Sequence, residues 1–321
     1  GLFDLDLVPV SVELLGDHGR QAGVVALAVV PFALPSQALV NLALLTAVSA
    51  ALGQAWNLAG GFGGLTSFGH AVFFGIGAYA GAVLQTRWGW SPWLGLPAAA
   101  ALGALAGYGI GAAAFRAGLR GSYFALVTLA FAEAARVLAN SMDLTGAGLG
   151  ILIPLRPGLA SFQFTDRRAS YALALLLLAG TTAAAAWLRR SRFGAQLAAV
   201  REGEDAARAL GIDPIRVKAR VLAGSGALTA LGGTLYAQTY LYVDPSIAFG
   251  AERSVEMLLV AMVGGAGTVL GPLLGAVVLH AVADGSRALI DVPGFAPMLY
   301  GVLLLCVVAV LPGGLARLVR A

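Results

Sequence analysis

The sequence predicts an all-α fold, a polytopic transmembrane helical bundle of about 8–10 membrane segments that includes a re-entrant or half-helix hairpin. Three observations carry that expectation. Only 11% of the 321 residues are charged, against about 25% in a soluble domain, and 59% are hydrophobic, with a mean hydropathy of +0.85. Several apolar runs reach the roughly 20 residues that a hydrocarbon core demands of a helix, and their Ala, Leu, Val and Gly content suits helices rather than the alternating strands of a membrane barrel. The 44 glycines supply the small surfaces that let membrane helices pack closely.

The elements follow in order. Residues 1–20 form an acidic, mildly amphipathic lead without the pattern of a cleavable signal peptide, and 21–321 form a single membrane domain. Spans are expected at 21–35, 37–57, 63–86, 93–115, 122–140, 169–188, 214–241 and 296–312. The lone cysteine, Cys306, falls in the last of these and has no partner for an internal disulfide, so redox chemistry and cysteine-rich metal sites are not expected.

Basic residues set the orientation, because they stay on the cytoplasmic side. The segment 189–220 holds Arg189, Arg190, Arg192, Arg201, Arg208, Arg216, Lys218 and Arg220, which is 8 of the 20 Lys and Arg, and is expected in the cytoplasm. Arg116 with Arg120, and Arg317 with Arg320, mark two further cytoplasmic ends. Parity then requires the apolar stretch 254–284 to enter from the outside and return. Its 31 residues supply only about 46 Å of helix, too little for two crossings of about 30 Å each. A re-entrant hairpin or a pair of half-helices satisfies both counts, with Gly264, Gly265 and Gly267 at the turn. An ordinary glycine-rich helix with a different topology is the competing reading.

The sequence 201–220, REGEDAARALGIDPIRVKAR, is the most charged part of the chain. Glu202, Glu204 and Asp205 are expected in the first turn of a short helix, where acids suit the positive end of the dipole, with Gly211 closing it in a left-handed conformation. Asp213 then caps the next helix and Pro214 takes its first position. Two readings fit such an element: a polar helix built to dock, or a solvated loop carrying positive-inside charge.

Residues 204–220, EDAARALGIDPIRVKAR, resemble the cytoplasmic coupling segment of ABC importer permeases. With WNLAGGFGGLTSFGHAVFFGIGAYAGAVL at 56–84, LRGSYFALVTLAFAEAARVL at 119–138 and SVEMLLVAMVGGAGTVLGPLLGAVV at 254–278, the chain resembles the LivM-type permease subunit of branched-chain amino-acid ABC importers over about 37–312. The resemblance implies a bacterial inner-membrane importer subunit with its C-terminus in the cytoplasm. It pairs with a second, homologous permease as a heterodimer, with two cytoplasmic ATPases and with a periplasmic substrate-binding protein. It also implies that Glu202, Glu204, Asp205, Ala206, Ala207, Arg208, Ala209, Leu210 and Gly211 form the ATPase-coupling element. The chain shows no G-x-x-x-x-G-K-[ST] loop, so it is expected to bind no cofactor itself and not to be an enzyme, with ATP and Mg held in the partner subunits. Membrane lipid is expected around it, and no nucleic acid. By analogy, the resemblance extends to the many-helix fold of vitamin-type importer permeases.

Ionisable residues within spans are the candidates for a translocation path, because they are expensive in lipid. Glu133 and Arg136, at i and i+3, either line a cavity for a zwitterionic solute or neutralise each other at a helix interface. His70 is either a hydrogen-bonded packing residue or a ligand, and no second His or Cys is spaced with it for a metal. Glu256, with Arg253 before it, either contacts substrate or the binding protein or carries solvated charge. Gly60, Gly61, Gly63 and Gly64 mark a hinge-like break, and Gly75 and Gly77 a close-packing face. A stand-alone secondary transporter or channel using Glu133, Arg136 and His70 as a charge relay is the alternative from a different class.

Overall fold

The computed structural model describes residues 37–156, 158, 161–164, 166–289, 298–299, 301–302 and 314–317. The expected spans 21–35 and, apart from four residues, 296–312 with Cys306 lie outside the described residues.

Close backbone contact at glycines builds the centre of the bundle. Helix α1 is Gln37–Asn57, α2 is His70–Trp88, α3 is Pro92–Arg116, α4 is Gly121–Ser141 and α5 is Arg167–Arg190. The short helices α6 (Arg192–Glu202) and α7 (Glu204–Ala209) lead into the long α8 (Pro214–Tyr240). A Cβ placed on Gly77 of α2 would stand 1.9 Å from the Ala230 carbonyl oxygen of α8, and one on Gly233 of α8 would stand 2.1 Å from the Phe74 carbonyl oxygen of α2. Gly103 of α3 and Gly226 of α8 face each other at 2.5 Å in the same sense. Only glycine allows such approach, so α2, α3 and α8 are welded into one block.

Among the described residues, four stretches are long and apolar enough to cross a membrane: Gln37–Phe62, Pro92–Arg116, Gly121–Ser141 and Arg167–Arg190. Helix α5 packs on α1, and its first turn is capped by Asp166, whose carboxylate accepts from the Arg168 N–H. Helix α4 is the least covered of these spans, with 28% of its most apolar stretch buried against 67% in the first span. Tyr123, Leu126 and Leu138 on α4 are 73%, 62% and 60% exposed.

One expected span starts late. The stretch 63–69 is not helical, and α2 begins at His70 rather than at 63. Helix α1 runs on through a π-helical turn, Leu58–Phe62, after which the chain doubles back so that the Trp56 Nε1–H donates to the Ser67 carbonyl at 2.9 Å. Side chains from other elements replace the missing helical hydrogen bonds. Thr128 Oγ1 of α4 accepts from the Phe68 N–H at 3.1 Å, and Ser254 Oγ accepts from the Ala71 N–H at 2.8 Å. Irregular backbone inside a membrane bundle is tolerated when protein groups satisfy it in this way.

The stretch 254–284 folds as a pair of antiparallel helices, α10 (Ala251–Gly264) and α11 (Gly271–Leu289). At 14 residues α10 is only about 21 Å long, too short to cross. Gly265 and Gly267 turn the chain between them with φ of +121° and +77°. Before α10, the five-residue α9 (Pro245–Phe249) packs on α2 and α4. A two-stranded antiparallel sheet, β1 (Ile151–Leu152) with β2 (Tyr242–Val243), closes the end of the bundle opposite α7.

Candidate functional site

Local sequence dictates the shape of the charged segment. Ser191 caps α6, its hydroxyl accepting from the Gly194 N–H at 3.0 Å, and Leu197 and Val200 bury the inner face of that helix. Gly203 breaks the chain in an extended conformation, so Glu202 ends α6 instead of sitting in the first turn of α7 as its charge suggested. Glu204 and Asp205 do occupy that first turn. Gly211 ends the element at φ +78°, with the Ile212 N–H donating back to the Ala207 carbonyl at 3.0 Å. Asp213 then caps α8, its carboxylate accepting from the Ile215 and Arg216 N–H groups at 3.0 and 3.2 Å, with Pro214 at the first position.

The exposure of α7 is uneven. Ala207 is buried, whereas Glu202, Asp205, Ala206, Arg208, Ala209, Leu210 and Gly211 are exposed. Leu210 is 76% exposed, an apolar knob at the tip of a polar projection.

Glu204 ties this projection down. Its carboxylate accepts from Arg120 Nη2 at 3.0 Å, from Arg208 Nη2 at 3.3 Å and from the Lys218 ammonium of α8. Lys218 is buried and stands 4.8 Å over the Phe115 ring, which stacks on Phe124 at 4.9 Å between centroids. A charge-assisted pair with little solvent is worth more than the exposed Arg208–Asp205 pair beside it. The cleft around these groups is also lined by Gly63, Gly64, Thr66 and Arg201.

The glycines join the same end. Arg201 Nη1 of α6 donates to the Gly61 carbonyl at 2.9 Å, and a Cβ on Gly61 would stand 2.3 Å from the Gly267 nitrogen. Asn57 clamps the α10–α11 turn, its Oδ1 accepting from the Gly267 N–H at 2.7 Å and its Nδ2 donating to the Thr268 carbonyl at 2.8 Å. A Cβ on Gly60 would meet the Trp56 ring, and one on Gly264 the Gly271 carbonyl oxygen at 1.8 Å. Gly63 lies close to the Ala59 carbonyl, and Gly64 turns the chain at φ +67°. The α1 end, the hairpin turn and α6 therefore meet at the α7 end of the molecule.

The four candidate path residues sit in three separate clusters. His70 is fully buried, with Nε2 2.8 Å from Ser225 Oγ and Nδ1 3.2 Å from Ser67 Oγ. The Ser225 hydroxyl donates to the Ala55 carbonyl at 2.7 Å, which assigns the ring proton to Nε2. Glu133 and Arg136 pair with each other on the open face of α4, their side chains 56% and 32% exposed. Glu256 accepts from Ser49 Oγ at 2.7 Å and from Arg253 Nη1 at 3.0 Å, Arg253 Nη2 donates to the Tyr236 hydroxyl at 3.1 Å, and His280 Nε2 lies 3.1 Å from Ser49 Oγ. That network fixes α10 to α1, α8 and α11. Among the described residues no group of three or more His, Cys, Asp or Glu is placed to hold a metal ion.

Arg120 and Lys218 as partners of Glu204, and Ser49 and His280 as neighbours of the Glu256 pair, were not foreseen. Arg120 carried a weak signal as a cation at a helix end. The others lie across breaks and between helices, where no sequence period relates them.

Comparison with known proteins places these features in context. Residues 38–308 match the family described as the permease component of the branched-chain amino acid transport system. The chain is 32% identical over 323 residues to the high-affinity branched-chain amino acid transport system permease protein LivM of Escherichia coli K12, covering 92% of this chain and 75% of that protein. It is 31% identical to LivM of Salmonella typhimurium, covering 92% and 74%. A shorter match, 32% identical over 126 residues and 37% of each chain, is to the L-arabinose ABC transporter permease protein AraH of Azospirillum brasilense. No solved structure matches the chain.

Proposed function

The chain belongs to the family of branched-chain amino acid transport permease components, and from that premise we propose that it is one membrane subunit of an ATP-driven importer. The observation that carries the reading is α7: a short, exposed, charged helix with Leu210 at its tip, anchored by Glu204 to the helices behind it. An exposed apolar side chain ringed by charge fits the groove of a partner protein better than it fits solvent. That partner is a cytoplasmic ATPase, one of two, which hydrolyses ATP with Mg outside this chain. Residues 189–220 and the C-terminus face the cytoplasm of a bacterial cell, and the bundle lies in its inner membrane.

The solute passes along the open face of α4. Glu133 lies about 18 Å from the start of that helix, deep in the bilayer, where an ion pair facing lipid would be costly. We place a second, homologous permease across this face, with the path between the two subunits and with Glu133 and Arg136 presenting both charges to a zwitterion. A periplasmic binding protein delivers the solute, a branched-chain amino acid as in the names of the LivM relatives, or another small polar solute.

The test is reconstitution. The chain, its permease partner, the ATPases and the binding protein in proteoliposomes are expected to take up labelled leucine only with ATP inside the vesicle's ATPase-bearing compartment. Uptake by this chain alone, driven by an ion gradient, would overturn the reading.

A further inference from the structure

The α3–α4 elbow combines three features that the docking role leaves unused. Gly118 and Gly121 take φ of +74° and +52°, and a Cβ on either would meet nothing within 4 Å, so the elbow turns through two unconfined left-handed positions. Arg120 lies between them, immediately before α4, and its guanidinium reaches Glu204 of α7. The same carboxylate holds Lys218 of α8, part of the block welded at Gly77, Gly103 and Gly226.

The helix beyond the elbow is seated on one face only. Phe124 stacks on Phe115 near its start, Thr128 bonds the Phe68 N–H and its carbonyl oxygen would stand 2.6 Å from a Cβ on Gly69, Ala132 and Ala139 are buried, and α9 covers part of its far half, while its outward face is open. A rigid block, a helix packed on one face and open on the other, and a two-glycine elbow form a hinge, and one carboxylate bridges its two sides.

We propose that Arg120 is a positioning residue for transport: Glu204 latches it to Lys218, and displacement of α7 opens the latch and lets α4 swing against the α2–α3–α8 block. This rests on the reading that α7 contacts an ATPase. Movement of α7 takes Glu204 away from the elbow, the Arg120 side chain, already 59% exposed, loses its carboxylate partner, and α4 re-seats about Gly118 and Gly121. Lys218 keeps its place over Phe115.

The experiment uses the assembled transporter in lipid, with Cys306→Ser in this chain and spin labels at two pairs of positions. One pair, Ser141 and Trp88, reports α4 against the block; the other, Trp88 and Tyr240, reports the block itself. In the wild type the first distance is expected to shift when a non-hydrolysable ATP analogue binds, and the second to stay fixed. In Arg120→Gln without nucleotide, the population at the ATP-type distance rises at least about fivefold, and Arg120→Lys restores the wild-type distribution. The inference is overturned if Arg120→Gln keeps the wild-type nucleotide-free distribution, if Arg120→Lys behaves like Arg120→Gln, or if a wild-type complex that transports shows no shift at Ser141. A wild-type complex that fails to assemble or transport would instead overturn the importer reading.

Discussion

Glu204 of α7 and Lys218 of α8 form an ion pair across 14 residues of chain that include a helix end, a left-handed glycine and a capped helix start. The pair turns a six-residue helix, too short to be stable alone, into a fixed projection. Neighbouring Asp205, with its side chain 91% exposed, does nothing comparable. Glu204→Ala leaves Lys218 buried without its carboxylate and is expected to destabilise the detergent-solubilised protein by about 2 kcal/mol, whereas Asp205→Ala leaves its melting temperature nearly unchanged. Thermal unfolding of the two variants side by side checks this, and equal shifts would show that the pair contributes little.

Contact with an ATPase is expected to depend on the exposed side of α7. Ala206→Arg and Leu210→Asp alter side chains that face away from the bundle, so both variants should insert and purify normally. Copurification with the ATPase should fall by at least about tenfold, as for loss of an interface anchor. Gly211→Leu is expected to act differently. It forces a side chain into φ +78° and should loosen α7 itself, at a cost of about 1 kcal/mol.

The weld between α2 and α8 predicts a sharp contrast between two glycines. Gly77→Leu drives side-chain atoms into the Ala230 backbone, while a Cβ on Gly180 of α5 meets nothing within 4 Å. Expression followed by size-exclusion chromatography should give aggregated or absent Gly77→Leu protein and monodisperse Gly180→Leu protein. Normal behaviour of the first variant would mean that the two helices are farther apart than described.

Asn57 is expected to hold the α10–α11 turn in place. Asn57→Leu leaves the Gly267 N–H and the Thr268 carbonyl without their side-chain partners, a loss of about 1–3 kcal/mol for each buried group. Limited proteolysis should then cut near 265–270 well before it cuts the wild type, and unchanged protection there would count against the clamp.

Much of this architecture was legible in the sequence, for reasons that particular elements make clear. Apolar length fixed α1, α3, α4 and α5 to within two residues, and the deficit of residues between Ser254 and Asp284 pointed to a broken stretch, which the structure resolves as a short α10 of 14 residues and a longer α11 of 19, because length against bilayer thickness is a quantity a sequence carries directly. Asp213 with Pro214, and Gly211, announced their cap and turn through local backbone chemistry. The non-helical stretch 63–69 was hidden because its hydrogen bonds go to Trp56 and Thr128, while Ser254 takes the Ala71 N–H of the helix start that follows it, residues whose proximity is a property of the folded bundle. Glu202 was misplaced by one helix because its charge suits a first turn, while Gly203 had already decided where the turn begins. Likewise Glu204 was visible as an acid, and its hold on Lys218 and Arg120 was not.

The central claim is that α7 is the contact through which a cytoplasmic ATPase moves this subunit. A single cysteine at Leu210, in a chain with Cys306→Ser, tests it in intact cells with a membrane-impermeant maleimide and a short bifunctional cross-linker. The account predicts no labelling from outside, labelling in inside-out vesicles, and a cross-linked product with the ATPase subunit whose yield changes when ATP is added. Labelling of Leu210→Cys from the outside of intact cells would contradict it.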